Sequence, residues 1–185
     1  MANWSYKIQE GEHKGKTLWS GRYTAVSVVV VYKDPVLGYK ILVNKRGVGT
    51  PNFQNKWNMP CGFLEDDETA YEGASREVYE ETGIKIDPDK FKLINVETDP
   101  KLCFSGHVTL RMICFLNEMP KTESGTAESR GGEKDEVAAI TWVNKNNYNT
   151  FTWAFNHKDT IKEYFDKISM LEHQYNTDSL KVNLQ

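Results

Sequence analysis

The sequence predicts an α+β fold, built as a small αβα sandwich with a mixed central sheet. Two observations carry this prediction. Runs of β-branched residues recur along the chain, and the longest, RYTAVSVVVVYK at residues 22–33, is typical of a strand buried on both faces. Two segments with helical spacing lie among these runs, one in the middle of the chain and one near its end. Strands mixed with helices in this order favour a sheet covered by helices.

The elements follow in a definite order along the chain. A turn marked by Asp34, Pro35 and Gly38 separates the first strand from the next, which makes the two a predicted hairpin. The central helix is expected over residues 67–81, with Gly83 in the usual place of a C-cap. The remaining predicted elements are strands at residues 39–46, 56–63, 91–98, 107–117 and 136–143, and a closing helix at residues 153–168.

The domain prediction has three parts. Residues 1–20 are polar with two tryptophans, Trp4 and Trp19, and are expected to be an N-terminal arm or an edge hairpin. Residues 21–170 form the main domain, since about 150 residues is an ordinary size for one domain. Residues 171–185 are a C-terminal tail to which the pattern assigns no structure.

Composition favours a cytoplasmic protein with reduced thiols. A net charge of −3 provides no general attraction for nucleic acid or for an anionic membrane. The first residues are too polar for a secretory signal, and the longest apolar run, residues 25–32, is too short to span a bilayer. Three scattered cysteines, Cys61, Cys103 and Cys114, predict free thiols rather than disulfides or a zinc site.

Three glutamates crowd the end of the central helix. At about 100° per residue, Glu77, Glu80 and Glu81 share one sector of the helix, and Glu81 projects within its apolar arc. A solvated charged face is the ordinary interpretation of such a helix. Against it, like charges three or four residues apart repel, and the helix dipole disfavours anions in the last turns. A divalent cation would remove both costs, because Mg²⁺ prefers carboxylate oxygens together with substrate phosphates.

The surrounding stretch, residues 62–84, resembles the signature of the Nudix hydrolases, G-x5-E-x7-R-E-U-x-E-E-x-G-U, in which U is aliphatic. Every specified position matches. The matching residues are Gly62, Glu68, Arg76, Glu77, Val78, Glu80, Glu81, Gly83 and Ile84. The resemblance implies hydrolysis of a nucleoside diphosphate linked to another group X, with Mg²⁺ as the cofactor and Mn²⁺ as a substitute.

The resemblance also implies roles for individual residues. Glu80 and Glu81 would be metal ligands, and Glu77 a further ligand or the base that activates water. Arg76 would orient this acidic cluster, with Glu68 as its structural partner. The backbone carbonyl of Cys61 or Gly62 is a further candidate ligand. Cys61 replaces the first of two glycines that many members have here.

A second set of fragments resembles the ADP-ribose pyrophosphatase branch of the family. These are residues 45–63 before the signature, Pro100 after it, and the WAFNHKDTI run of the closing helix. The RDPRG loop of that branch is replaced by KLCFSG. On this resemblance ADP-ribose is the first substrate to test, and Arg46, Phe53 and Trp57 are candidate substrate contacts. A core or turn position is the alternative for Trp57, and a structural position is expected for His107 and His157.

The loop before the last strand holds further acidic residues. The family often draws a final glutamate, as ligand or base, from this region, and Glu133 and Glu136 are both candidates. The alternative is an acidic loop that keeps the edge strand soluble.

Three functions remain open on the sequence alone. The leading hypothesis is the Mg²⁺-dependent pyrophosphohydrolase of nucleoside diphosphate derivatives. The alternatives are a pyrophosphohydrolase of nucleoside triphosphates or RNA 5′ ends, and a non-catalytic nucleotide sensor on the same fold. Domains of this family often pair, so a homodimer is compatible with each hypothesis.

Overall fold

The computed structural model describes residues 5–12, 14–19, 21–103 and 106–182. Within these ranges the chain forms nine strands and two α-helices, numbered in chain order, besides short 3-10 turns. They are β1 (Ser5–Lys7), β2 (Thr17–Trp19), β3 (Thr24–Asp34), β4 (Gly38–Arg46), β5 (Trp57–Asn58), β6 (Cys61–Phe63), α1 (Ala70–Thr82), β7 (Lys92–Glu97), β8 (Val108–Leu116), β9 (Val137–Asn144) and α2 (His157–Val182). Seven of the strands, β3 to β9, form one mixed sheet, which confirms the predicted α+β sandwich.

Strand β3 lies at the centre of this sheet. It pairs in parallel with β8 over nine residue pairs, and β7 covers the outer side of β8 in antiparallel pairing. The other edge of β3 is shared: its end pairs with β4, and its beginning, Ala25–Ser27, pairs with β6. Strand β4 in turn pairs with β5 and β9. The segment that opens the acidic motif is therefore bonded directly to the central strand.

The side chains of β3 divide between the two faces of the sheet, because successive residues of a strand point to opposite sides. Val26, Val28 and Val30 are fully buried and join the cluster that packs against α1. Val29 and Val31, equally buried, join the cluster under α2. The long apolar run of β3 is thus explained by helices on both faces, as its composition predicts.

Both ends of α1 are fixed by local hydrogen bonds. At its start Thr69 and Glu72 form a capping box, in which the Glu72 carboxylate accepts from the Thr69 N–H at 2.8 Å. At its end Gly83 has φ 71°, and its N–H donates to the carbonyl of Tyr79 at 2.8 Å. The predicted C-cap at Gly83 is confirmed, and the acidic last turn of α1 is held at a defined place over the sheet.

The last helix is longer than the sequence pattern indicated. The prediction ended it at residue 168 and assigned no structure to residues 171–185, but α2 continues to Val182. Leu171 and Tyr175 extend the buried stripe of the helix onto the core cluster. The Tyr175 hydroxyl also donates to the carbonyl of Lys90 at 2.7 Å. Ile168, Leu171 and Tyr175 continue the helical spacing of apolar residues. The polar residues between them make this spacing hard to recognise in the sequence.

The N-terminal segment forms a hairpin of its own. Strands β1 and β2 pair with each other in antiparallel register and make a separate two-stranded sheet. Among the described residues of this segment, the pair does not join the edge of the main sheet, where an edge hairpin was one of the two alternatives. Trp4, which contributed to that prediction, lies outside the described residues.

We expect Gly83→Ala to destabilise the fold more than Gly38→Ala. Both glycines have φ above 70°, and that conformation costs a residue with a Cβ about 1–2 kcal/mol. A Cβ on Gly38 meets nothing within 4 Å, whereas a Cβ on Gly83 would lie 2.6 Å from the carbonyl oxygen of Glu123. Thermal unfolding should show a midpoint lower by about 2–8 °C for Gly38→Ala and a larger drop for Gly83→Ala. Equal drops would contradict the tight contact between the helix end and the loop.

Candidate active site

The guanidinium of Arg76 lies at the centre of the acidic motif. It contacts Glu68 at 2.7 Å, Glu77 at 2.9 Å and Glu80 at 3.0 Å, and it donates to the carbonyl of Phe63 at 3.0 Å. These bonds tie α1 to the loop that precedes it. The structure therefore brings together the predicted orienting arginine, its predicted partner Glu68, and two of the three clustered glutamates.

Glu77 and Glu81 are buried carboxylates. Glu77 is 7% exposed and Glu81 only 1% exposed, on the face of α1 that packs toward β6. Burial raises the pKa of Glu77 to about 7, against the opposing effect of Arg76. Burial, and then the nearby charge of Glu77, raise the pKa of Glu81 well above its usual range. Two adjacent buried acids are thus costly to ionise together.

Strand β6 forms the floor beneath these acids. The backbone N–H of Cys61 donates to the Glu81 carboxylate at 3.2 Å. A Cβ placed on Gly62 would lie 2.0 Å from an Oε atom of Glu77, so only glycine allows this approach of backbone to carboxylate. Cys61 and Gly62 therefore lie against the cluster, where the sequence placed them as candidate carbonyl ligands.

The loop before β9 contributes another acid, and the two sequence candidates differ in position. Glu136 is half-buried, and burial followed by the charges of Glu133 and Glu80 raises its pKa. Its carbonyl accepts from the N–H of Gly47 at 2.6 Å, which fixes the loop against the end of β4. Glu133 is exposed, and its N–H donates to the Glu136 carboxylate at 3.2 Å. The structure therefore brings Glu136 closer to the acidic cluster than Glu133.

The three candidate substrate contacts fall in different places. Arg46 lies on the wall of a cleft of about 580 Å³ that borders the acidic cluster, and its guanidinium lies 5.1 Å from the ring of Phe155. Phe53 packs edge-on against Phe155 at 4.8 Å, so it supports that wall from behind. Trp57 does not reach the cleft, because it packs on Phe151 at 5.2 Å within the core under α2. The structure thus places Trp57 at a core position, which was the alternative for it, and its part in substrate binding stays a prediction.

Several cleft residues were missed by the sequence reasoning. Arg111 of β8 is 6% exposed and lines the cleft, as does Ser27 of β3. His157 also lines it and is 5% exposed, and its Nδ1 accepts from the N–H of Met59 at 3.0 Å. Burial lowers the pKa of His157 to about 3, so the imidazole is neutral. The available signal was a single charged residue, Arg111, inside the mainly apolar strand VTLRMICFL.

A hard divalent cation fits the donors of the cluster. Within the described ranges, no three acidic, histidine or cysteine side chains already stand at the spacing that encloses an ion. Arg76 instead occupies oxygens of Glu77 and Glu80. The donors themselves are carboxylates next to a backbone strand, which is the oxygen set that Mg²⁺ and Mn²⁺ prefer. A bound cation would also offset the burial of Glu81, which accepts one hydrogen bond, from Cys61.

Other predictions concern the surface and the thiols. All three cysteines are free, as predicted. In the described part of the chain, no helix combines the length and the apolar character needed to cross a membrane. Part of the KLCFSG loop, residues 104 and 105, lies outside the described residues.

Comparison with known proteins identifies relatives of this arrangement. The NUDIX domain model matches residues 21–164. The chain is 42% identical over 69 residues to Phosphatase NudJ of Escherichia coli K12, a stretch covering 35% of this chain and 45% of that protein. The chain thus matches less than half the length of this curated relative.

Solved structures share the fold at lower identity. The NUDIX domain of Shewanella oneidensis NrtR, complexed with ADP ribose, superimposes with a TM-score of 0.63 at 16% identity, covering 80% of this chain and 90% of that one. A bifunctional NMN adenylyltransferase/ADP ribose pyrophosphatase of Francisella tularensis, complexed with AMP and a manganese ion, superimposes with a TM-score of 0.60 at 20% identity. The match covers 80% of this chain and 42% of that one. At these identities the likeness shows the fold alone.

Neutralising Glu81 should stabilise the metal-free protein at high pH. Because the pKa of Glu81 is raised in the fold from its usual 4.5, its contribution to stability is full below that pH and is lost as pH rises through the folded pKa. In EDTA at pH 8, we expect Glu81→Gln to unfold at a higher temperature than the native protein. The midpoint should rise by about 2–4 °C for each kcal/mol that the substitution adds to the free energy of unfolding. At pH 5 the difference should shrink.

The matched control is Glu163→Gln, on an exposed turn of α2 where the glutamate pairs with Lys167 at 2.7 Å. That change should leave the pH dependence unaltered. A midpoint for Glu81→Gln that stays below the native value at pH 8 would show that Glu81 is not a destabilising buried charge.

Proposed function

The chain belongs to the Nudix family, and from this premise we propose that it is a Mg²⁺-dependent pyrophosphohydrolase that cleaves nucleoside diphosphates linked to another group X. The products would be a nucleoside monophosphate and phosphorylated X, and ADP-ribose is the first substrate to test. The observation that carries the proposal is the acidic cluster of α1, in which Arg76 holds Glu77 and Glu80 on the wall of a cleft large enough for a nucleotide and Glu81 is buried beside them.

Divalent metal use is general in this family, and the residues that would hold the ion here are Glu77, Glu80 and Glu81 with a carbonyl of Cys61 or Gly62. Once bound, the ion would neutralise charge on the diphosphate and lower the pKa of an attacking water. Arg76 would hold Glu77 and Glu80 in place through its 2.9 and 3.0 Å bonds. Because these groups are fixed before substrate arrives, little reorganisation would be needed at the reaction step.

Two residues could take the proton from water. Glu77 has a pKa of about 7, near the value at which a general base works best at neutral pH. Glu136 lies beside the same cluster, close enough for its charge to act on Glu77, and its raised pKa also favours proton uptake. Since Arg76 engages Glu77 directly, Glu136 is the carboxylate with more freedom to contact water. We therefore assign the base to Glu136 and metal binding to Glu77.

The substrate assignment is supported from two directions. Fragments of the sequence resemble the ADP-ribose pyrophosphatase branch, and the Shewanella NrtR domain and the Francisella enzyme are described with ADP ribose and with AMP. The cleft offers Arg46 with Phe155 behind it, a cationic and aromatic surface suited to a nucleotide. A small nucleoside diphosphate derivative is therefore the proposed ligand, and a homodimer remains compatible with it.

The proposed reaction is tested by a substrate screen. Purified protein with excess Mg²⁺ should hydrolyse ADP-ribose or another nucleoside diphosphate derivative, among nucleotide sugars, NADH, dinucleoside polyphosphates and nucleoside triphosphates. AMP and ribose phosphate would be the products from ADP-ribose. Phosphate or pyrophosphate released from triphosphates would instead support the alternative enzyme. Tight ADP-ribose binding without turnover would support the sensor.

Glu80→Gln should lower kcat by about 100-fold or more, the scale reached when a group acting on the reacting centre is removed. A neutral amide is a poorer ligand for Mg²⁺ but similar in shape, so the fold should persist. Far-UV circular dichroism and the thermal midpoint check the fold, and Glu163→Gln is the matched surface control. Equal turnover by native and Glu80→Gln proteins would contradict the assignment of the metal site.

The base assignment is tested by paired substitutions in one loop. We expect Glu136→Gln to lower kcat by about 10²–10⁴-fold, which is the range of general acid–base contributions. Glu133→Gln should keep kcat within the same order of magnitude, because Glu133 is exposed and its hydrogen bonds with Glu136 use its backbone N–H and carbonyl, which the substitution keeps. If Glu133→Gln lowers kcat more than Glu136→Gln does, Glu133 is the base. If neither substitution lowers kcat, the base is Glu77.

A further inference from the structure

The cleft has a second polar wall on the opposite face of the sheet from the acidic cluster. Ser27 pairs with Arg111 of β8 on one side and with Cys61 of β6 on the other. Ser27 lies two residues before Val29 on β3, and Arg111 lies two residues before Ile113 on β8. Alternate residues of a strand share a face, so both side chains lie on the face that α2 covers, like those of Val29 and Ile113. Glu77 and Glu81 instead lie on α1, which covers the other face. A ligand in the cleft therefore meets acids from one side and this second wall from the other.

Arg111 carries a buried charge without a counter-ion. The residue is 6% exposed, and its Nη1 has no hydrogen-bond partner among the described residues. No carboxylate in the described ranges forms an ion pair with it. The neighbouring Tyr164 hydroxyl can share a hydrogen bond with Arg111 but supplies no negative charge. Burying a cation in this state is unfavourable, so a residue kept only for packing would more simply be apolar.

The groups beside Arg111 are also hydrogen-bond donors. The Nδ1 atom of His157 accepts from the N–H of Met59, so the proton of the neutral ring is on Nε2. No described residue accepts a hydrogen bond from that Nε2. The Ser27 hydroxyl is buried and likewise has no partner in the described part of the chain. Together these side chains offer several donors and a net positive charge at one place.

A group rich in acceptor oxygens is complementary to such a wall. A neutral nucleobase could accept a hydrogen bond from Arg111, but it would leave the buried charge uncompensated. A phosphate or carboxylate would satisfy the donors and neutralise the charge at once, since guanidinium binds both through paired N–H···O bonds. The observations therefore favour an anionic ligand group over a neutral one.

We propose that Arg111, Ser27 and His157 form a subsite for a second anionic group of the substrate, a phosphate monoester or a carboxylate, separate from the diphosphate that is cleaved. This inference rests on the proposed function, because it specifies the class of nucleoside diphosphate derivative that the enzyme selects. The second anion could belong to X or to the nucleoside side. In either case Arg111 determines specificity, and the acidic cluster carries out the chemistry.

Metal-free phosphate binding isolates this subsite. In EDTA the acidic cluster repels anions, so inorganic phosphate should bind at the Arg111 wall. Titration calorimetry or ³¹P line broadening should show an affinity at least about tenfold weaker in Arg111→Gln than in the native protein, and an intermediate loss in Ser27→Ala. Arg111→Lys keeps the charge without the paired donors, and it replaces the Gln variant if that protein does not fold. Lys145→Gln, an exposed lysine paired with Asp166, is the control.

Two matched substrate pairs locate the anion. UDP-glucuronate differs from UDP-glucose by a carboxylate on X, and NADPH differs from NADH by a phosphate on the nucleoside side. We expect the native enzyme to prefer the charged member of one pair by at least about tenfold in kcat/KM. The preference should disappear in Arg111→Gln and persist in part in Arg111→Lys, while Lys145→Gln keeps it in full.

The outcomes separate this inference from the proposed function. Hydrolysis of both members of each pair at equal kcat/KM would overturn the subsite and leave the pyrophosphohydrolase intact. Phosphate affinity unchanged by either Arg111 variant would overturn it as well. If no derivative is hydrolysed but phosphate binding still depends on Arg111, the proposed reaction fails and the anion subsite stands.

Discussion

The arrangement of the candidate site depends on one guanidinium. Arg76 donates to Glu68, Glu77, Glu80 and the carbonyl of Phe63, and these bonds connect the loop before α1 with about one turn of the helix. Arginine suits this position because its planar fork can hold several oxygens at once and remains charged at all relevant pH values. One positive charge nevertheless faces several carboxylates, so the cluster retains a deficit of positive charge that a divalent cation would fill.

The fold holds this unfavourable cluster in place. Strand β6 is bonded to the centre of the sheet, Gly62 lets its backbone reach Glu77, and the capped ends of α1 prevent the acidic turn from fraying. Carboxylates that repel each other at the end of a free helix would separate or take up protons. Stability supplied by the two core clusters is thus used to keep Glu77 and Glu81 together.

Much of this arrangement could be predicted from sequence, and the exceptions have physical reasons. Strands β3, β4, β7, β8 and β9 and the helix α1 follow from period and composition, and the acidic cluster follows from helical spacing. The core position of Trp57 could only be offered as an alternative, because spacing along a chain does not tell which face of a sheet a short strand presents. Arg111 was missed because its neighbours in the cleft, Ser27 and His157, come from distant segments that only the pairing of β3 with β8 and the docking of α2 bring together.

The two walls of the cleft differ in the sign of their charge, and this difference constrains how a substrate can lie. Glutamates on α1 attract a diphosphate only with a cation between them, whereas Arg46 and Arg111 on the other side attract anions directly. A diphosphate alone would therefore be drawn toward the arginines when no metal is bound. A second anion on the substrate would occupy Arg111 and leave the diphosphate for the metal side. Charge separation across β3 would then orient the substrate, as well as bind it.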